Sequence, residues 1–509
     1  MSIELTKTDI GTAEVLYDNF AEQGIDCDIS LPDYCPDIMR ILRCSVTNSI
    51  TNSKISGDRA TVDGNAKIRI VYADDKNGIY CYEQDYPFSK FSELPQTYDG
   101  AVLCSSAKTE YANCRAVSKK RIDIHGVVSI RFKIVGIKNE SVITDAEGDG
   151  IQLRKKKIGT DSVAAVVMKK FQISQTEEAD GGEIGKIFYA CASPVLSETK
   201  IIKGKILLKG EAVLKVMYCS ATGENESVCV NYNLPFSEII DIESIDDSCK
   251  VSVGFNVDQV QAEPKTDNDG EYKYLNLGCD ICAVVTAYKT EDICVVTDSY
   301  STQKEIDAKY KTETFTQILQ NLNDSIICRE SVDLSSMNPQ RIYAAIAQSP
   351  EAKSRFDADK MTVTGKIPLK FILIDGEGTP TFCEREAEFE YSRSIDAKGG
   401  NLHCDPKLFL TGYSCTLTSD GRAEFKAEMN ISADITETSE CRTLVSLKTM
   451  ENSELKKRHS SLVICFCNGG EKIWDIARKY NTTVEDIMSE NELTSDEIVE
   501  KMMLMIPVK

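Results

Sequence analysis

Histidine is scarce in this chain, with 3 in 509 residues, and tryptophan occurs once. So few histidines leave little material for general acid–base chemistry. His125 falls inside an alternating strand pattern and reads as structural; His403 and His459 are isolated. No Gly-x-Ser-x-Gly elbow is present. Gly181-Gly-Glu-Ile-Gly-Lys186 lacks the spacing of a phosphate loop and the hydroxyl residue after its lysine, so it reads as a turn. Cys279-Asp-Ile-Cys282 has a metal-site spacing, but on a strand residues three apart face opposite sides. Asp267-Asn-Asp-Gly-Glu271 starts like a calcium loop, but its glycine is misplaced and no glutamate closes it. The expectation is a protein that is not an enzyme, with no metal and no cofactor.

Positive charge is also in deficit. The formal net charge is −21. A nucleic-acid binder needs a basic face to replace the counterions around phosphates, so this balance argues against nucleic acid and against anionic lipid. Long apolar runs are missing too. Val163-Ala-Ala-Val-Val-Met168 is among the longer ones, far short of the roughly 18–20 residues a membrane-spanning helix needs. The first residues show no basic segment leading into an apolar one, which suggests no signal peptide. Cysteine, by contrast, is plentiful. The 20 cysteines are scattered, many within strand patterns such as Val216-Met-Tyr-Cys219. Dispersed cysteine in strands behaves as a small hydrophobe, which suggests reduced thiols and a cytoplasmic setting.

What is present is a threefold repeat. Gly64-Asn-Ala-Lys-Ile-Arg-Ile-Val-Tyr72, Gly210-Glu-Ala-Val-Leu-Lys-Val-Met-Tyr218 and Gly365-Lys-Ile-Pro-Leu-Lys-Phe-Ile-Leu373 each alternate with a period of two, as half-buried strands do. Turn residues rich in Asp, Asn and Gly follow each copy. The return strands end in Tyr86-Pro-Phe-Ser89, Leu234-Pro-Phe-Ser237 and, more loosely, Phe389-Glu-Tyr-Ser392. The glycines lie 146 and then 155 residues apart, from 64 to 210 and from 210 to 365. That spacing is a duplicated domain rather than a solenoid unit. Four stretches carry helix-like spacing instead: residues 5–23, 38–42, 161–169 and 314–322. The reading is mainly β, three tandem repeats of two packed sheets each, over 1–150, 151–310 and 311–447.

A polar, basic segment, 448–460, reads as a linker. Beyond it, 461–509 changes character. Leu462-Val-Ile-Cys-Phe-Cys467 is a short strand, Glu471–Tyr480 has helical spacing, and Thr482 followed by Glu485 fits a capping box for a second helix. Met502–Pro507 closes a β-α-α-β unit. From residue 460 onward it holds nine acidic and five basic side chains. Trp474 reads as core packing or as a partly exposed partner anchor, with Ile473 beside it and Lys472 at the rim.

Gly470, Trp474, Asp475, Ile476, Ala477, Tyr480, Thr483, Val484, Ile487, Asn491, Leu493 and Leu504–Pro507 resemble the pattern of a LysM module. LysM modules grip N-acetylglucosamine glycans between two loops. That resemblance assigns partner or glycan binding to Gly470, Glu471, Lys472, Ile473, Trp474, Asn491 and Leu493. Both loops depart from the family, reading Gly470-Glu-Lys-Ile-Trp474 and Glu500-Lys-Met502. Leu31-Pro-Asp-Tyr-Cys-Pro-Asp-Ile38 and the Gly-strand hairpins resemble the SPOCS, or spore-coat-associated, domains. SPOCS repeats followed by one LysM module are similar to a family of clostridial spore-coat morphogenetic proteins. The resemblance implies coat assembly on the mother-cell side of the forespore. It also implies that the tail binds the coat-basement ATPase or another coat morphogenetic protein, with peptidoglycan as the alternative.

Overall fold

The computed structural model describes residues 3–180, 183–220, 227–357, 359–395, 401–454 and 462–507. The Gly181-Gly182 turn, the Ala221–Asn225 turn and His459 lie outside the described residues. Strands dominate, and the only α-helices among the described residues are two short ones near the C-terminus.

Three sets of strands follow one another. The first is β1 (Glu4–Ser30), β2 (Arg40–Ser56), β3 (Arg59–Ala73), β4 (Ile79–Glu93), β5 (Val102–Ala116) and β6 (Arg121–Glu147). The second is β7 (Ile151–Glu178), β8 (Ile184–Ile202), β9 (Lys205–Ser220), β10 (Ser227–Asp241), β11 (Lys250–Thr266) and β12 (Tyr272–Ser301). The third is β13 (Lys304–Asp333), β14 (Pro339–Ala347), β15 (Glu351–Asp357), β16 (Lys360–Asp375), β17 (Pro380–Ser394), β18 (Asn401–Cys404), β19 (Lys407–Leu417) and β20 (Arg422–Glu454). In each set the long outer strands pair with each other, β1 with β6, β7 with β12 and β13 with β20. The middle strands form a separate antiparallel sheet centred on β3, β9 or β16. The two sheets of a set enclose one apolar core; in the first set it gathers Ile25, Ile50, Ile68, Phe88, Leu103 and Ile124.

The repeated glycine has a physical cause. Gly64, Gly210 and Gly365 stand opposite Phe88, Phe236 and Phe389 in the ladder. Each phenyl ring folds back over its glycine. A Cβ on Gly210 would lie 2.2 Å from the Val195 carbonyl and 2.6 Å from Phe236 Cζ. The Phe of Pro-Phe-Ser and the glycine are therefore one packing device, and Phe389 fills the same place in the looser third copy. The hairpin turns are held by Asp side chains: Asp74 Oδ1 accepts from the Lys76 and Gly78 amides at 2.9 and 2.8 Å, and Asp375 Oδ1 from the Glu377 and Thr379 amides at 2.9 and 2.8 Å.

None of the four helix-like stretches among the repeats is helical. Residues 5–23 belong to β1, 161–169 to β7 and 314–322 to β13, while 38–42 run into the start of β2. The reason is shared. Each stretch contains a β-bulge, between Val15 and Tyr17, Ile41 and Arg43, Val163 and Ala165, and Ile318 and Gln320. An extra residue shifts the in–out phase of a strand, so the apolar positions stop alternating and mimic a helical period. The expected linker also differs: β20 continues through Lys448 to Glu454, and 455–461 lie outside the described residues.

Bulges also join the repeats. At matching places in β2, β8 and β14, among other irregularities, the ladder skips Leu42, Phe188 and Tyr343. All three enter one apolar cluster with Val71, Met217 and Ile372, between the small sheets of the three sets. The Phe188 and Tyr343 rings stack there, centroids 6.2 Å apart. Farther out, Asp161 (2% side-chain exposure) accepts from the Ile318 amide at 2.5 Å, Thr290 Oγ1 at 2.5 Å and Lys250 Nζ at 3.1 Å, tying the second set to the third.

All twenty cysteines are unpaired. Burial pushes the thiols of Cys81, Cys279, Cys282 and Cys415 up to about 12, which keeps them protonated and slow to oxidise. Alkylation of the native chain should label the exposed Cys294 first, and denaturation should then release the full count of 20 thiols. A count well below that would place disulfides in the native chain. Gly210→Ala should destabilise the chain by about 2–3 kcal/mol in urea unfolding, because a backbone carbonyl cannot move aside. Gly24→Ala, whose Cβ would meet nothing closer than 3.6 Å, should be nearly neutral. Equal effects of the two substitutions would contradict the ring-over-glycine account.

Candidate functional site

The tail pairs β21 (Leu462–Cys467) with β22 (Met502–Pro507) and places α1 (Ile473–Tyr480) and α2 (Val484–Glu490) between them in sequence. The cap of α2 is Thr483, whose hydroxyl accepts from the Asp486 amide at 2.9 Å, one residue beyond the expected Thr482. Thr482 is instead buried, and its carbonyl is engaged elsewhere.

The loops before α1 and after α2 are bonded to each other. The Gly470 amide donates to Ile498 O at 2.7 Å, the Ile498 amide to Glu471 O at 3.1 Å and the Ile473 amide to Asp496 O at 2.9 Å. Lys472 Nζ lies 3.7 Å from a Glu497 carboxylate oxygen. Gly470, at φ +91°, makes the turn that brings the loops together. Asn491 is a strut: Nδ2 donates to Ile487 O at 2.8 Å and Met505 O at 2.7 Å, and Oδ1 accepts from the Met505 amide at 2.7 Å. Leu493 packs against the tail's core, and Ile473 is fully buried in it. Of the seven expected site residues, Gly470, Glu471 and Lys472 meet at the loop pair, while Asn491, Leu493, Ile473 and Trp474 hold the fold.

Trp474 is a correction to the reading of a partly exposed anchor. It is 8% exposed because the tail sits on the repeats. Tyr300 at the end of β12 meets the indole edge-on at 4.9 Å between centroids, and Tyr300 Oη donates to Thr482 O at 2.7 Å. Trp474 Nε1 donates to Asp298 Oδ2 at 2.9 Å, and Arg478 Nη1 donates to the same oxygen at 2.8 Å. A bulge between Val296 and Asp298 sets the direction of that strand end. The indole is thus a clamp between tail and repeats. Nothing in the sequence near residue 300 marks it as the seat, since the pairing spans 176 residues.

With Trp474 turned inward, the apolar surface of the tail lies on its outer sheet face. Leu462, Ile464 and Phe466 are 42, 56 and 73% exposed, and Met503 and Met505 across from them are 53 and 37% exposed. Alternation puts these five side chains on one face, opposite to the face carrying the buried Cys467, Leu504 and Ile506. Sequence reading missed this row, although Leu462-Val-Ile-Cys-Phe-Cys467 and Met502–Pro507 are apolar at every position: both faces are hydrophobic, and a two-stranded sheet can cover only one.

His125 lies exposed between Asp26 (Nδ1, 2.7 Å) and Asp123 (Nε2, 3.2 Å), whose hydrogen bonds raise its pKa. Among the described residues no group of three or more His, Cys, Asp and Glu side chains is placed to hold a metal ion, and no helix is long and apolar enough to cross a membrane.

These features define a β-repeat protein with a small α/β tail docked onto it. Comparison with known families makes that class specific. The family described as "SipL, SPOCS domain" matches residues 37–117 and 183–265, and the LysM domain matches residues 470–507. The chain therefore carries SPOCS domains and a C-terminal LysM domain, the content of a sporulation-associated protein. The two SPOCS matches cover β2–β5 and β8–β11; the third set of strands lies outside both and repeats their topology. No curated protein and no solved structure matches the chain.

Asp298→Ala should loosen the tail, since it removes both hydrogen bonds that the tail donates to Asp298 and leaves a buried indole N–H unpaired, a cost of about 2 kcal/mol. The single tryptophan reports this directly. Its emission should shift to the red, and limited proteolysis should release the tail faster. An unchanged spectrum and unchanged cleavage would show that the seat contributes nothing to docking.

Proposed function

We propose that this chain is a non-catalytic assembly protein of the spore coat, whose LysM tail recruits a coat morphogenetic protein through the outer face of β21 and β22. The observation that carries the reading is the exposed row of Leu462, Ile464, Phe466, Met503 and Met505. Five neighbouring apolar side chains on so small a module form the kind of patch that marks a protein interface. An N-acetylglucosamine glycan is polar and gains less from such a face. Between the two loops that would hold a glycan, the backbone amides of Gly470, Ile473 and Ile498 are already bonded across the gap. The acidic side chains of the tail give anionic wall polymers no electrostatic help and would favour a partner with a basic rim. The domain content supports the spore setting, and the coat-basement ATPase is the partner that the family resemblance suggests.

The experiment is a titration of the full chain against the purified basement ATPase and, separately, against purified peptidoglycan. Binding to the ATPase and not to peptidoglycan is expected. Phe466→Asp should weaken it by at least about 2 kcal/mol, some thirtyfold, with circular dichroism unchanged. Retention on peptidoglycan with no affinity for the ATPase would replace this reading with cell-wall binding.

A further inference from the structure

Where the three small sheets meet, two cations, Arg43 and Lys215, are buried with no carboxylate bonded to either among the described residues. The repeat itself shows the deficit. Five residues after the repeated glycine each copy has a cation: Arg69, Lys215 and Lys370. In the first and third copies the residue opposite in the ladder is a glutamate, and Arg69 pairs with Glu83 at 2.5 Å and Lys370 with Glu384 at 3.0 Å. In the second copy the residue opposite Lys215 is Asn231. Lys215 is only 5% exposed. Its ammonium donates to Tyr413 O at 3.2 Å and lies 3.2 Å from the centre of the Tyr413 ring. The thiols of Cys191 and Cys229 are its other polar neighbours.

A second cation is buried along the same strip of β8. Arg43, on the residue following the bulge in β2, is 8% exposed. Its Nε and Nη1 are shut off from solvent with no acceptor, and the aromatic ring of Tyr189 lies 5.9 Å from its guanidinium carbon. Tyr189 and Cys191 are two apart on β8, and Cys191 faces Lys215 across the ladder, so the two cations flank one strip of β8. The Tyr413 hydroxyl in the same neighbourhood is also buried without a partner. Arg43, Tyr189, Cys191, Gln348 and Lys370 line a cleft of about 830 Å³ at this junction, together with Glu110 and with Glu384, whose carboxylate is taken up by Lys370. Buried charge without a counter-charge is costly, and buried donors without acceptors add to that cost. In a chain with a net charge of −21, the sign of the deficit stands out.

We propose that this junction is a binding site for a small oxyanion, a phosphate or carboxylate group, recognised by the Arg43 guanidinium with the Lys215 charge behind it. An oxyanion supplies acceptors for guanidinium donors and balances both charges at once. Because the cleft is built from all three repeats, bound anion would hold them together, and its affinity would appear as stability.

The test is thermal unfolding of the full chain in increasing inorganic phosphate and, in a second arm, acetate, against chloride at matched ionic strength. A saturable rise in Tm with phosphate or acetate and not with chloride is expected; which anion acts identifies the group. Arg43→Met should weaken the anion dependence at least tenfold. Arg43→Lys, which keeps the charge and loses the fork, should weaken it less, and serves if Arg43→Met does not fold. No saturable rise with either anion in the unaltered chain, or the same rise in the folded Arg43 variants, would overturn the proposal.

Discussion

The architecture depends on one irregularity used three times. A strand that alternates strictly has one face for its own core and one face left over. The bulges in β2, β8 and β14 break that rule at the same place in each copy, and the residues they displace, Leu42, Phe188 and Tyr343, fill a cluster shared by all three repeats. Each repeat thus has a core between its two sheets and contributes to a further core between repeats. Without the bulge, the small sheets would offer each other flat faces in the wrong phase. The extra residue both re-aims the side chain and sharpens the local twist.

The same device governs the tail. A bulge just before Asp298 sets the end of β12, where Asp298 and Tyr300 form the seat for Trp474, Arg478 and the Thr482 carbonyl. Docking there consumes the tail's only tryptophan. It leaves the other side of the module, the outer face of β21 and β22, apolar and open. The inward and outward faces of the tail therefore have separate roles. One is specific and hydrogen-bonded, fitted to the repeats; the other is greasy and uncommitted within this chain.

Much of the fold is legible locally. The repeated glycine, its eight-residue strand and the phenylalanine that covers it are set by adjacent strands of a hairpin, whose partners are near in sequence. The β-α-α-β order of the tail is legible for the same reason: each element carries its own periodicity and turn residues. The long outer strands are not legible in this way. Residues 5–23 and 314–322 carry a helical spacing because bulges move their apolar positions out of phase, and the placing of a bulge depends on a strand more than a hundred residues away. Asn491 and Leu493 match the LysM pattern in sequence, but their bonds and packing show them supporting the module from within.

The sequence by itself determined the β class, the threefold duplication, the small tail and the excess of acid, because composition, periodicity and turn chemistry act over a few residues. Tertiary structure alone decided that Trp474 faces inward, that Phe466 faces out, and that Arg43 and Lys215 are both buried with no carboxylate bonded to either. Exposure and charge balance are properties of what arrives from elsewhere in the chain. Asp298 comes to Trp474 from 176 residues away, and no local pattern records that approach.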